Sequence, residues 1–225
     1  MSRASLWNNV ATGILVACAL LMTGTAVRRQ FFPSRTAPAS SDVPIKEWDA
    51  LLSSAFPVLG SVSSNLDTGK TSLTVVEFAD YQCPYCAHVH DSLKAFVKRS
   101  PRSVRYYFAN FPLTSIHPYA YRAALASACA ANQGQLLPIM DELYGHQAAI
   151  GHSSWDEIAS RAKIADATAF AECMREEQPR ARIEESIRIA KLVGVGGTPS
   201  FAVNGVLLGA VRTVRDLEAR VSQLP

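Results

Sequence analysis

The stretch that decides the fold runs from Leu73 to Cys86 and reads LTVVEFADYQCPYC. Its first six residues are largely apolar and rich in β-branched side chains, which predicts a buried strand. Four residues later comes a C-x-x-C pair, and a helical pattern then continues to Arg99 with Pro84 suited to its first turn. This order places Cys83 at the N-cap of a helix that a strand feeds directly.

The position of Cys83 predicts an unusually acidic thiol. Unpaired backbone N–H groups and the positive end of the helix dipole stabilise a thiolate there, so its pKa is expected below the free value of about 8.5. Cys86, one turn later, lies deeper and is expected to be less acidic. We therefore expect Cys83 to form mixed disulfides and Cys86 to resolve them.

A C-x-x-C pair is also half of a typical zinc site. His90 follows Cys86 by four residues, so Cys83, Cys86 and His90 form an alternative metal-binding set. The sequence has no second cysteine pair or carboxylate cluster at a matching spacing, and we expect no metal here. His88 and His90 are instead expected to be solvent-facing or partly packed on the first helix.

Outward from this stretch, the pattern of elements predicts an α/β fold. A short helix is expected at 42–52, a second strand at 104–111, helices at 118–131, 136–147, 155–162, 167–175 and 180–192, strands at 200–203 and 206–208 around an Asn204–Gly205 turn, and a last helix at 214–223. A strand–helix–strand start with a strand–strand–helix finish is the thioredoxin arrangement, and the helical block is an insertion within it. The predicted organisation is a signal anchor or signal peptide at 1–29, a linker and short helix at 30–56, thioredoxin-like parts at 57–112 and 194–225, and the helical insertion at 113–193.

Residues 75–86, VVEFADYQCPYC, resemble the active-site segment of the DsbA-like thiol-disulfide oxidoreductases of the thioredoxin superfamily. The likeness runs from about Leu73 to the C terminus. In that family an acidic residue six positions before the first cysteine is buried near the resolving thiol, and Glu77 occupies this position. Gly197-Thr198-Pro199 resembles the family's cis-proline loop, which faces the active site. The resemblance implies a protein dithiol–disulfide oxidoreductase whose only redox group is the Cys83–Cys86 pair, with no added cofactor.

Glu77 and Pro199 also carry expectations from their own chemistry. A carboxyl in an apolar strand is unfavourable to bury, so the pKa of Glu77 is expected to rise and to permit proton exchange with Cys86. The alternative is a glutamate that pairs with a lysine or arginine. Pro199 follows Gly196-Gly197-Thr198 and is expected to be cis, which would expose the Thr198 backbone to an extended client; the alternative is an ordinary trans turn.

Two further cysteines, Cys129 and Cys173, fall on two helices of the insertion. They are either isolated buried thiols or a disulfide that staples the helical block. Some members of the family that this chain resembles carry an extra pair in this region, which favours the disulfide. In the chain-entropy account, closing a loop of about 45 residues contributes roughly 4 kcal/mol.

The N-terminal segment is expected to target the chain to the cell envelope. Residues 10–27 contain no charge and would reach about 27 Å as a helix, close to the thickness of a bilayer core. The alternatives are a retained anchor, a signal peptide cleaved after Ala26, and a lipoprotein with Cys18 as its lipidated residue. Unless it is lipidated, Cys18 is expected to be buried in the membrane or absent from the mature protein.

The charge distribution excludes nucleic acid as the default partner. The chain has 22 basic and 19 acidic residues, and Arg3, Arg28 and Arg29 precede Gln30, which leaves 19 of each sign in the body. A body of net charge zero has no electrostatic footprint for a phosphate backbone. Of the 225 residues 48% are hydrophobic, which is too apolar for a disordered chain and ample for a core.

The function expected from these observations is disulfide exchange with unfolded or assembling envelope proteins on the periplasmic side. The simplest direction is the donation of disulfides to these proteins. A membrane redox partner is then expected to recycle the cysteine pair. The alternatives are an envelope reductant, for example in haem-protein maturation, and a zinc- or protein-binding module without turnover. An isomerase is disfavoured because the residues before the first clear strand are too few for a separate dimerisation domain.

The dipeptide between the cysteines predicts the redox poise. Pro84 removes one backbone N–H from those that could stabilise the Cys83 thiolate, and Tyr85 is uncharged. The Cys83 pKa is therefore expected between about 3.5 and about 8.5. The potential is expected between about −120 and about −230 mV, less oxidising than the strongest members of the family. Thr198, next to Pro199, is expected to face the sulfurs and to be the main additional influence on the potential, in either direction.

Overall fold

The computed structural model describes residues 43–59, 73–100 and 104–223. The strands are β1 (Val43–Pro44), β2 (Phe56–Leu59), β3 (Leu73–Ala79), β4 (Val104–Asn110), β5 (Ser200–Val203) and β6 (Val206–Ala210). The helices are α1 (Trp48–Ser54), α2 (Pro84–Arg99), α3 (Ala120–Ala131), α4 (Leu136–Gly145), α5 (Trp155–Arg161), α6 (Ala167–Glu176), α7 (Arg180–Leu192) and α8 (Val214–Val221).

The six strands form one mixed sheet in the order β1-β6-β5-β3-β4-β2. The β3 and β4 strands are parallel, and α2 is the crossover between them, as a parallel connection requires. The other pairs are antiparallel, and Asn204 and Gly205 form the β5–β6 turn with φ angles of 48° and 83°. Every residue of β3 is buried, because the strand lies inside the sheet with helices over it.

Helices cover both faces of the sheet. On one face, α2 and α8 pack their apolar stripes on β3, β4 and β5 in a cluster that includes Val75, Leu93, Tyr106, Phe201 and Leu217. On the other face, α1 and α7 pack on Val76, Phe78 and Ala202. This arrangement confirms the predicted thioredoxin fold of the body. The helix α7, which lies within the predicted insertion, covers the sheet.

The helices α3 to α6 form a block with its own core. Leu125, Ile139, Ile158 and Phe170 are almost fully buried within it. The same cluster contains Cys86, at the start of α2. The inserted block therefore builds one wall of the region around the cysteine pair.

Most predicted elements agree with the structure within a few residues, and α2, α7 and β5 agree at both ends. The helix predicted at 42–52 is wrong at its start. Val43 and Pro44 pair with Leu207 and Val206 as an edge strand, and the helix begins only at Trp48. Backbone pairing with β6 thus decides the conformation of Val43 and Pro44, which the sequence pattern assigns to the helix.

The predicted N-terminal segment at 1–29 lies outside the described residues. This segment contains the apolar run at 10–27, Cys18 and the cleavage point after Ala26. The first part of the predicted linker, up to Ser41, also lies outside them. Among the helices that the structure does describe, none is both long and apolar enough to cross a bilayer.

Candidate active site: a buried cysteine pair at the start of a helix

The turn before α2 places Cys83 at the N-cap position. Its backbone is extended, with φ −74° and ψ 119°, and Pro84 occupies the first turn of the helix. The Cys83 N–H donates to the carbonyl of Asp80 at 3.1 Å. The carboxylate of Asp80 accepts hydrogen bonds from the N–H of Gln82 and of Leu113, each at 2.7 Å. Asp80 therefore caps backbone N–H groups locally and stabilises the turn that carries Cys83.

The sulfur of Cys83 faces the loop before β5. Its side chain is 5% exposed, and Sγ lies 3.4 Å from the carbonyl oxygen of Thr198. The Thr198–Pro199 peptide bond is cis, which confirms the isomer expected from the sequence and excludes the trans alternative. The loop thus brings Thr198 and Pro199, 115 residues away in sequence, against the first cysteine.

The two thiols differ in acidity in the direction that the helix position predicts. The hydrogen bond from Cys86 is the largest influence on Cys83 and lowers its pKa to about 5, against burial, which raises it. The Thr198 side chain and the backbone N–H groups of Cys86 and Tyr85 also lower it. Cys86 is fully buried, and its burial raises its pKa well above the ordinary value, with further increases from Cys83 and the charge of Glu77. Cys83 is therefore the thiolate of the pair.

Glu77 lies on β3, paired in register with Phe108 on β4 and Phe201 on β5. It is 1% exposed, and burial raises its pKa to about 7, opposed by a hydrogen bond that the Tyr106 hydroxyl donates to Oε2. The expected rise in pKa is confirmed. The alternative of a lysine or arginine partner is wrong for the described part of the chain, because the partner there is Tyr106 and Oε1 has none.

The histidines of α2 lie in different environments. His88 is exposed as expected, but the expectation of a solvent-facing or partly packed His90 is wrong, because His90 is buried at 4% exposure and its Nε2 contacts Asp141 Oδ1 at 2.6 Å. The residue falls on the inner face of α2, one turn after Cys86.

The alternative zinc set of Cys83, Cys86 and His90 is not assembled in the part of the chain that the structure describes. The metal-ligating side chains that come together there are His90, Asp91 and Asp141, within 4.8 Å of one another. The ammonium of Lys94 contacts both carboxylates of that group, at 2.8 and 2.5 Å, and so balances one of their two negative charges.

Cys129 on α3 and Cys173 on α6 form a disulfide with a Cα–Cα distance of 5.8 Å. The staple expected from the resemblance is therefore present, and the alternative of two isolated thiols is excluded. The bond joins two helices of the inserted block across 44 residues of sequence, and both cysteines are buried. Cys83 and Cys86, in contrast, are both free thiols.

Several residues of the site carry no signal that the sequence analysis could use. The side-chain amide of Gln147 donates to the carbonyls of Tyr81 and Cys83, at 2.7 and 2.9 Å, and so supports the active-site turn. The sequence pattern places Tyr106 on a predicted strand but assigns it no role in the site. Period-two alternation places it on the same face as Phe108, and the β3–β4 register then puts both on the face of Glu77.

The outer rim of the site is apolar and open to solvent. Tyr85, between the cysteines, is 55% exposed, and the guanidinium carbon of Arg212 lies 6.0 Å from its ring centroid. Ile116 and Tyr119 are also exposed, on the segment that follows β4. The Tyr119 N–H donates to Gln82 Oε1 at 2.7 Å, so that segment is attached to the active-site turn. An acidic thiolate beside an accessible apolar rim suits attack on a disulfide of another polypeptide.

Comparison of sequences places these features in a family. A family model described as Thioredoxin matches residues 68–223. A curated relative from Salinispora tropica, named Na(+)/H(+) antiporter NhaA 3, is 37% identical over 133 residues, which are 59% of this chain and 20% of the relative. The chain therefore spans about a fifth of the length of the curated relatives that it matches.

Solved structures share the fold. A thioredoxin-like oxidoreductase from Silicibacter pomeroyi is 27% identical with a TM-score of 0.60, over 79% of this chain and 98% of that one. The thiol-disulfide exchange protein alpha-DsbA2 from Wolbachia pipientis is 20% identical with a TM-score of 0.57, over 80% of this chain and 92% of that one. A periplasmic thioredoxin-like protein from Salmonella enterica is 23% identical with a TM-score of 0.58, over 78% of this chain and 94% of that one. The chain belongs to the thioredoxin family.

Proposed function

We propose that the chain donates disulfides to unfolded or assembling proteins of the bacterial cell envelope through Cys83 and Cys86. A client thiolate attacks the Cys83 sulfur of the oxidised pair, which gives a mixed disulfide and releases Cys86. A second client thiol then displaces Cys83, so the client leaves oxidised and the pair leaves reduced. No added cofactor takes part.

The observation that carries this proposal is the acidity of Cys83, whose pKa is about 5. At neutral pH the reduced form is almost entirely thiolate at this position, and a stabilised thiolate makes Cys83 a good leaving group. Stabilisation of the reduced pair also favours transfer of the disulfide to a client. The value lies within the interval expected from Pro84 and Tyr85, so the potential is expected between about −120 and about −230 mV.

The remaining site residues have roles consistent with this chemistry. Glu77, with a pKa of about 7, accepts and returns the proton of Cys86 near neutral pH. The Thr198 carbonyl lies against the Cys83 sulfur, where an extended client segment passing Pro199 would meet the cysteine to be exchanged.

An envelope location is supported by two observations. The chain contains the Cys129–Cys173 disulfide, and disulfides persist outside the reducing cytosol. A protein of similar structure from Salmonella enterica is periplasmic. The apolar segment at 10–27 would hold the chain at the inner membrane with the body in the periplasm, and a membrane protein would re-oxidise the pair. The antiporter name belongs to relatives much longer than this chain, and the match covers only about a fifth of their length, so we do not extend the antiporter activity to this chain.

The proposal is tested with the two single-cysteine variants and the wild type. Cys86→Ser is expected to accumulate mixed disulfides with clients through Cys83, whereas Cys83→Ser is expected to capture none and to lose exchange activity. Capture by Cys83→Ser alone would reverse the two roles. Acid quenching and alkylation of the wild type in cells is expected to find the pair mostly oxidised; a mostly reduced pair would indicate an envelope reductant instead.

A further inference from the structure

The exchange reaction leaves a proton in a place without direct access to solvent. When the reduced pair forms its disulfide on a mixed-disulfide intermediate, the Cys86 thiol must lose its proton. Cys86 is fully buried, and Glu77, the acceptor in the proposed function, is 1% exposed. Exchange of a proton between Glu77 and solvent must therefore pass through the surrounding side chains.

Two buried polar atoms near Cys86 have no hydrogen-bond partner. They are Glu77 Oε1 and the Tyr144 hydroxyl, both unpaired among the described residues, whereas the Tyr81 hydroxyl interacts with Ser127. Unpaired buried polar atoms are unfavourable and rarely kept without a role. Two such atoms near one buried thiol call for an explanation beyond packing.

The rings connect these atoms in one direction. Phe108, the register partner of Glu77, stacks on Tyr81 with ring centroids 5.1 Å apart. Tyr81 contacts Tyr144 at 5.0 Å, and Tyr144 contacts His90 at 4.9 Å. The series leads from β4, beside Glu77, to the inner face of α2, one turn after Cys86.

At the far end of the series there is an opening to solvent. A surface cavity of about 330 Å³ is lined by residues of α2 and α4 that include Ala87, His90, Asp141 and Tyr144. His90 Nε2 contacts Asp141 Oδ1 at 2.6 Å, and the Asp141 side chain is 48% exposed. The cavity therefore joins a buried tyrosine and a buried histidine to a carboxylate in contact with water.

We propose that Tyr144 and His90 form the route by which the proton of the buried Cys86–Glu77 pair exchanges with solvent, with Asp141 as its outer end. The inference rests on the proposed function. The two residues act through Glu77 and Cys86 and touch no client, so they are positioning residues for proton transfer.

The step balances without an added reactant. Cys86 Sγ–H gives its proton to Glu77, and the resulting thiolate attacks the Cys83 sulfur of the mixed disulfide. This step belongs to the re-oxidation of the pair: the Cys83–Cys86 bond forms as the bond to the sulfur of the re-oxidising membrane protein breaks, and that sulfur leaves as a thiolate. The proton on Glu77 then passes by way of the Tyr144 hydroxyl and the His90 imidazole to the cavity.

The charged groups around this route are few. Asp141 on α4 contacts His90 directly. Lys94 and Asp91, which lie with His90 on α2, also act on its charge, and the ammonium of Lys94 contacts both carboxylates. Burial lowers the pKa of His90, so the imidazole is mainly neutral at pH 7 and able to accept a proton. The groups near Tyr144 are Cys86, Glu77, Tyr81 and Tyr106.

The test separates the two chemical steps in one experiment on the reduced protein. With 5,5′-dithiobis(2-nitrobenzoate), attack by Cys83 releases a first thionitrobenzoate, and resolution by Cys86 releases a second. Tyr144→Phe, which keeps the ring, is expected to slow the second release about tenfold and leave the first unchanged, since general acid–base transfer contributes at least that much. Tyr121→Phe is the matched control, because it removes a hydroxyl that binds Glu184 away from the route.

Chemical rescue distinguishes a proton route from a packing effect. His90→Ala is expected to show the same slow second release, and imidazole added to the solution is expected to restore it at least about threefold by entering the enlarged cavity. Wild type and Tyr144→Phe are expected to show no such response. An unchanged second release in Tyr144→Phe, or a His90→Ala defect indifferent to imidazole, would overturn the proposal. Loss of the first release in the wild type would instead refute the proposed function.

Discussion

Replacing the buried carboxyl with its neutral isostere, Glu77→Gln, is expected to make stability respond differently to pH. The wild-type side chain is 1% exposed, and its pKa is raised by burial from 4.5 to about 7. In the unfolded chain the carboxyl ionises near its ordinary value. Ionised Glu77 therefore favours the unfolded state, and glutamine, which has no proton to lose, does not.

The magnitude follows from the shift. A folded pKa above the unfolded one means that the contribution of Glu77 to stability is fully present below pH 4.5 and is lost as the pH rises to about 7. The shift of the pKa corresponds to about 3 kcal/mol at 1.36 kcal/mol per pH unit. Relative to wild type, Glu77→Gln should gain about this much between pH 4 and pH 8, whatever constant offset the amide introduces at Tyr106.

The assay is urea unfolding of both reduced proteins across that pH range, with the difference in free energy of unfolding as the readout. Titrating groups distant from Glu77 are common to both proteins and cancel in the difference. A difference that stays constant from pH 4 to pH 8 would refute the argument. A loss in place of the gain as the pH rises would mean that the pKa of folded Glu77 lies below its unfolded value.

Two further substitutions test the staple and the redox poise. Cys129→Ala with Cys173→Ala is expected to lower the free energy of unfolding by about 4 kcal/mol through the added entropy of the unfolded chain, while exchange by Cys83 and Cys86 persists; thermal unfolding and an insulin-reduction assay measure the two effects, and loss of both together would show that the insertion holds the active site. Tyr85→His is expected to make the pair more oxidising by about 30 mV for each tenfold stabilisation of the reduced form, measured by equilibration with glutathione buffers; an unchanged potential would contradict the dipeptide argument.

Local signals predicted most of the fold and the two cysteines. The apolar run at Leu73–Phe78 and the periodicity of α2 depend on residues within a few positions of one another, so one sequence suffices to find them. The N-terminal helix was misplaced because β1 is defined by its pairing with β6, more than 160 residues further along the chain. His90 was misjudged for a similar reason, since its partner Asp141 is 51 residues away.

The sequence by itself determined that a thiol stands at a helix N-terminus, because strand, C-x-x-C and helix are contiguous and the backbone groups at a helix end need no tertiary partner. The tertiary structure alone decided which groups surround that thiol. Thr198 reaches Cys83 across 115 residues and Tyr106 reaches Glu77 across 29, through sheet register and the docking of the inserted helices. The acidity of a buried group depends on its desolvation and its neighbours, and both exist only once the chain has packed.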